Sequence, residues 1–144
     1  MIRTANSTDL IKIIDLIDPY IDEFSVNADG RRKFSSSIIQ SMLENPMIHY
    51  FVYQQTNEIV GIIAYKEPSH IVHFFVDKQY QGKGIGRQLW NHVEAIMTLN
   101  TFPSITVNSS CYAEKIYNKF GFESVSDVIE EDGLRFIRMQ KNRL

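Results

Sequence analysis

The chain has 144 residues, enough for one domain spanning residues 1–144, whose core can bury roughly 70% of the unfolded surface. Apolar residues make up 44% and the net charge is −2, which excludes a disordered chain; without a long basic run, nucleic acid is not an expected partner. Cys111 is the single cysteine, so neither an intrachain disulfide nor a cysteine-rich zinc site can form, and no apolar run approaches the ~20 residues of a membrane span. The expectation is a cytoplasmic protein without a membrane partner.

In chain order, residues 1–4 form a short strand, and Asn6 or Ser7 can cap a helix through about residue 17, with Leu10, Ile13, Ile14 and Ile17 on one stripe. Pro19 closes that segment, and residues 22–30 are polar and loop-like. A second helix over 31–43 is expected to pack Phe34, Ile38, Ile39 and Met42 before the breaker Asn45-Pro46. Strands are predicted at 48–54, 58–66 and 71–76, with Thr56-Asn57 as a turn and Glu67-Pro68-Ser69 as a separator. A glycine-rich loop at 81–86 opens a helix over 84–98 that carries Ile85, Leu89, Val93, Ile96 and Met97 at near-helical spacing. Pro103 precedes a strand at 104–107, and a helix over 112–120 ends at Gly121, a favoured C′ residue. Two last strands, 122–129 and 134–140, can pair across Asp132-Gly133. This order predicts an α/β fold with a mixed, largely antiparallel sheet flanked by helices.

The loop Gln81-Gly82-Lys83-Gly84-Ile85-Gly86 follows an apolar strand and begins an amphipathic helix. At such a junction unpaired N–H groups and the helix dipole favour an anion, and glycines let a phosphate approach the backbone. Lys83 and Arg87 can add charge. The dinucleotide fingerprint would need glycine where Arg87 stands, and the triphosphate loop would need Ser or Thr where Gly84 stands. A glycine turn without ligand is the alternative that loop chemistry leaves open.

Gln81, Gly84 and Gly86 match the pattern Gln/Arg-x-x-Gly-x-Gly/Ala, and downstream come Val107-Asn108-Ser109-Ser110, Ala113, Tyr117 and Phe120-Gly121-Phe122. The two segments together resemble the GNAT superfamily of N-acetyltransferases, most specifically over residues 58–122. The resemblance implies the GNAT fold with a splayed pair of strands, and acetyl-CoA as co-substrate, with no metal. The pantetheine arm is expected beside backbone groups of Phe74, Phe75 and Val76, and the pyrophosphate on the N–H groups from Gly82 to Gly86, flanked by Arg87. Ser110 stands where many members have Asn, so Asn108 or Ser110 is expected to take over that contact. The implied reaction is direct acetyl transfer to a primary amine, expected to be a small molecule; a non-catalytic acyl-CoA-binding domain and a protein-amine acetyltransferase are the alternatives. Monomer and homodimer both remain open.

For proton transfer, Tyr117 is the leading candidate, since a phenol of pKa ~10 can assist a departing thiolate whose acid has pKa ~8.5. A core tyrosine on the stripe Tyr112, Ile116, Tyr117 and Phe120 is the competing reading. His70 is the candidate base, placed by resemblance where relatives carry a glutamate; His73 is weaker, and His49 and His92 suit structural roles. Cys111 is expected to be a small buried residue rather than a nucleophile. Asp15, Asp18, Asp22 and Glu23 form either a solvated acidic face or a border of the acceptor site, and Phe24, Tyr50 and Tyr53 either shape that site or pack the core.

Overall fold

The computed structural model describes residues 1–99 and 104–142. Its strands are β1 (Ile2–Thr4), β2 (Ile48–Gln55), β3 (Glu58–Lys66), β4 (His70–Val76), β5 (Ser104–Ser109), β6 (Glu123–Glu131) and β7 (Leu134–Asn142). They form one sheet in the order β1-β2-β3-β4-β5-β7-β6. Only β4 and β5 run parallel, joined by the crossover helix α5 (Ile85–Met97) that parallel neighbours require. Pro103 lies outside the described residues.

The first helical segment begins with a capping box: Asn6 Oδ1 accepts from the Thr8 N–H at 3.0 Å, and the Asp9 carboxylate accepts from the Asn6 N–H at 2.9 Å. Helix α1 (Leu10–Ile17) follows. It ends at Ile17, ahead of Pro19 as expected, but the chain does not leave helical conformation there. Pro19 sits in the first turn of a new 3-10 segment, where a missing N–H costs little, and the chain runs on into α2 (Ile21–Phe24). The expected loop at 22–30 is therefore partly helical, because Asn27 caps a further turn, α3 (Ala28–Arg32), by accepting from the Gly30 N–H. The predicted second helix is split, with α4 (Ser36–Glu44) restarting after an extended Ser35. Phe34 lies between the two pieces yet still packs on the core, whereas Ile38 is exposed.

The sheet has an apolar core on each face. On one, Ile63, Ile71 and Val107 meet Leu89, Trp90 and Val93 of α5; on the other, Val52, Ile62 and Ala64 meet Ile13, Ile17 and Ile39. Each Val, Leu or Ile among them contributes about 1.5–3 kcal/mol on burial. Helix α6 (Glu114–Lys119) ends as the glycine predicted. The Phe122 N–H donates to the Tyr117 carbonyl and the Gly121 N–H to that of Asn118, both at 3.0 Å, with Gly121 at φ 96°. Between β6 and β7, Asp132 and Gly133 both take positive φ, the two-residue hairpin pattern. Among the described residues no helix is long and apolar enough to cross a membrane.

Candidate active site

Strands β4 and β5 pair only at His70↔Thr106 and Ile71↔Val107, and beyond these positions they part. The Asp77 N–H bonds the Val60 carbonyl on β3 at 2.8 Å. By alternation Phe75 also faces β3, so Phe74 and Val76 turn their N–H and C=O groups toward the gap. The Val76 carbonyl is already engaged by the Tyr20 hydroxyl at 2.5 Å, which leaves the Phe74 pair and the Val76 N–H free for a ligand. The gap widens into a cleft of about 620 Å³ lined by Phe74, Phe75, Val76, Asn108, Ser110 and Tyr117, among others.

The glycine loop closes one end of this cleft. Gly82 and Gly84 have φ of 77° and 83°, and Gly84 is the left-handed N-cap of α5. A side chain would be strained in this conformation. The first backbone bond of the helix runs from the Gln88 N–H to the Gly84 carbonyl at 3.0 Å. Among the described residues, the N–H groups from Gly82 to Arg87 therefore have no partner, which is the requirement for an anion cradle. A Cβ added at Gly82 or Gly84 would meet nothing within 4 Å, so both glycines border open space.

Side chains around the loop are unequal. Gln81, Gly82, Gly84, Ile85, Gly86 and Arg87 line the cleft. Arg87 holds its guanidinium 4.6 Å from the Phe120 ring centroid, a cation–π contact at the cleft wall. Lys83 does not line it; its ammonium lies 5.3 Å from the Tyr80 ring centroid.

Tyr117 is buried against Phe74 and Phe122, with ring centroids at 6.0 and 5.5 Å. Its hydroxyl bonds no protein group, yet no buried side-chain oxygen lacks a partner among the described residues, so the hydroxyl opens on the cleft. Burial raises its pKa far above the ordinary phenol value. The phenol stays protonated and can donate a hydrogen bond, while outright proton transfer to a thiolate runs uphill. Ser110 is buried at the turn into α6, where its Oγ accepts from the Ala113 N–H at 3.1 Å and donates to Glu23 Oε1 at 3.5 Å. Asn108 is exposed to the cleft on β5.

Residues 21–143 match the family described as Acetyltransferase (GNAT) domain. The chain belongs to the GNAT family. It is 31% identical over 101 residues to an N-acetylaspartate synthetase of Xenopus tropicalis, a match covering 65% of this GNAT chain and 37% of that longer protein. Its fold resembles that of a GCN5-related N-acetyltransferase from Rhodopseudomonas palustris, with a TM-score of 0.80, 17% identity, and 99% and 95% of the two chains covered. It also resembles PaiA N-acetyltransferase from Thermoplasma acidophilum, solved with coenzyme A, at a TM-score of 0.75, 20% identity, and 99% and 98% coverage.

The remaining candidates of this GNAT chain fall on both sides of the cleft wall. His70 lies below the point where the strands part, still paired with Lys66 and Thr106, and its Nδ1 is 2.8 Å from Thr106 Oγ1. It does not line the cleft, and burial together with the nearby Lys66 charge lowers its pKa. His73 is wholly buried, bonded to the Tyr50 hydroxyl at 2.8 Å, and pushed down to about 4 by burial. His49 bonds Glu67 and stacks on Tyr65, and His92 packs edge-on against Phe51. Cys111, expected to be buried, is exposed, because its neighbour Ser110 takes the inward position of the turn. Tyr50 and Tyr53 pack on the core; Phe24 lines the cleft. Tyr20 escaped sequence reasoning altogether. It bridges Val76 and Gln81, and no local pattern marks a tyrosine that acts on a loop 61 residues away.

Proposed function

We propose that this GNAT domain binds acetyl-CoA in the gap between β4 and β5 and transfers the acetyl group directly to a primary amine of a small molecule. The observation that carries this reading is the run of unpartnered N–H groups from Gly82 to Arg87 at the end of the same cleft that holds the Tyr117 hydroxyl. The coenzyme A complex of the T. acidophilum protein supports the donor, and the name of the Xenopus relative supports a small acceptor.

In this mechanism the pyrophosphate rests on the loop N–H groups, with Arg87 and Lys78 lending charge. Pantetheine pairs with the Phe74 N–H and C=O and the Val76 N–H, which fixes the thioester and makes amine attack effectively intramolecular. The free-base amine nitrogen forms a bond to the thioester carbonyl carbon, the C–S bond breaks with its electron pair going to sulfur, and the proton shed by nitrogen passes through solvent to the thiolate, leaving the N-acetylamine and the CoA thiol. Tyr117 donates a hydrogen bond to the sulfur as charge develops there.

The test is release of CoA from acetyl-CoA in the presence of a panel of small primary amines. Tyr117→Phe is expected to lower kcat about 100-fold, with CoA affinity nearly unchanged. Binding of acetyl-CoA without turnover of any amine would instead favour a non-catalytic acyl-CoA-binding domain. An unchanged kcat in Tyr117→Phe would remove the tyrosine from the reaction.

A further inference from the structure

Strand β4 carries one extra residue where it leaves β5. Ala64 pairs with His73 and the next residue of β3, Tyr65, pairs with Ile71, so Val72 has no partner on β3. The last pair between β4 and β5 is Ile71↔Val107, immediately before this bulge. A bulge bends its strand and re-aims the residues that follow. Here Ile71 and Phe74 pack on the α5 side of the sheet, while Val72 and Phe75 pack on the other. The course of residues 74–76 away from β5 is therefore set at residues 72–73.

His73, the first residue past the bulge, is tied down on the side away from α5. Tyr50 on β2, Ala64 on β3 and His73 on β4 form one row across the sheet. Adjacent strands lie about 4.8 Å apart, so the outer two backbones of this row are roughly 10 Å apart. Ala64 is wholly buried and carries only a methyl, which leaves room for the Tyr50 hydroxyl to come within 2.8 Å of His73 Nδ1. That hydroxyl has no other partner among the described residues, so it donates and Nδ1 accepts. Burial keeps both groups neutral, raising the phenol pKa and lowering that of the imidazole to about 4. The rings of Phe34 and Phe75, with centroids 6.0 and 5.8 Å from that of the imidazole, pack around it.

A buried pair of this kind adds little stability beyond what two apolar side chains of the same shape would give. It does add direction, because a hydrogen bond holds a distance and an angle while apolar contacts tolerate sliding. Neither side chain lines the cleft, so neither touches the donor. On the acyl-CoA reading of the gap, we infer that Tyr50 and His73 are positioning residues: their bond pins β4 just past its bulge and holds the backbone of residues 74–76 at the distance from β5 that pantetheine needs.

CoA is titrated calorimetrically into wild type, Tyr50→Phe, His73→Asn and the Tyr50→Phe/His73→Phe double variant, and urea unfolding is followed for each. Tyr50→Phe is expected to weaken CoA binding about 10-fold. His73→Asn puts an amide oxygen in the place of Nδ1 and is expected to keep most of the affinity, and to lose it when Tyr50→Phe is added. The double variant is expected to regain the stability lost in Tyr50→Phe without regaining CoA affinity. Wild-type affinity in Tyr50→Phe, or recovery of affinity together with stability in the double variant, overturns the inference. If wild type binds neither CoA nor acetyl-CoA, the donor reading of the gap fails on that result alone. The pin is then decided by the amide resonances of Phe74 and Val76 recorded without ligand. Their displacement in Tyr50→Phe, which keeps the ring, supports it, and unmoved resonances overturn it.

Discussion

Gln81 donates a hydrogen bond from Nε2 to the hydroxyl of Tyr20 at 2.5 Å, joining the first residue of the glycine loop to a segment 61 residues earlier. The same hydroxyl donates to the Val76 carbonyl at 2.5 Å, so one tyrosine clamps both the end of β4 and the start of the loop. Burial raises the Tyr20 pKa, which keeps this donor protonated. Gln81 thus holds the loop in place from within, and the backbone N–H groups are left unpartnered.

Tyr20→Phe removes both bonds and is expected to weaken CoA binding about 10-fold, or ~1.4 kcal/mol, in calorimetric titrations. Its melting temperature is expected to fall by only a few degrees. An unchanged affinity would mean that the loop keeps its shape without the clamp.

Gly84→Ala separates strain from ligand access. The added methyl meets nothing within 4 Å, so the folding cost is the φ of 83° alone, about 1 kcal/mol. CoA affinity is expected to fall by more than 10-fold, because the methyl occupies the space through which the pyrophosphate approaches. Equal small losses in stability and affinity would place the phosphates elsewhere.

Stability is expected to decline in mild acid through His73. Its folded pKa is about 4 because burial disfavours the charged ring, against 6.5 when unfolded. The unfolded chain therefore binds more protons between these values. The contribution is complete above pH 6.5 and is lost as pH falls toward about 4, for a total on the order of 3 kcal/mol. His70, also lowered, acts with the same sign. Denaturant unfolding at about pH 7 and about pH 5 measures the loss. A Tyr50→Phe/His73→Phe double variant should show a flatter dependence, and an equal slope in the two proteins would exclude this histidine as the cause.

Gly30→Ala is expected to disturb the α2 side of the cleft from a distance. Its Cβ would fall inside van der Waals contact of the Gly133 carbonyl oxygen, at the tip of the β6–β7 hairpin. That oxygen also accepts from the Val26 N–H at 2.9 Å, and Ser25 bridges to Leu134, so the hairpin braces the chain just after Glu23. A stability loss of about 1–3 kcal/mol is expected. With it should come a raised KM for small primary amines that the protein acetylates and an unchanged affinity for CoA. A simultaneous loss of CoA affinity would show that the damage is global.

Much of this protein follows from short stretches of its sequence. The strands, the glycine-opened helix α5 and the Gly121 helix stop depend on periodicity, left-handed backbone and unpaired helix ends, all set within a few residues. The shape of the glycine loop was readable for the same reason: Gly82 and Gly84 take the left-handed backbone that only glycine adopts without strain. Local reasoning failed where a cap or a proline competed with composition. Asn27 nucleated a turn in an expected loop, and Pro19, after closing α1 at Ile17, also opened a further helical segment.

The Glu23 side of the cleft belongs to the tertiary structure. By sequence Asp15, Asp18, Asp22 and Glu23 are one acidic cluster. The fold gives Asp18 and Asp22 to Arg31 and turns Glu23 into the cleft beside Ser110, 87 residues away. His70 looked like a base from its position, but the pairing of β4 with both neighbours holds it below the point where the cleft opens. Side chains that act on one another across the sheet leave no periodic trace, because their contact is set by strand register and helix packing rather than by spacing along the chain. The sequence by itself therefore determined the glycine loop, and only the folded sheet decided which carboxylate faces the cleft.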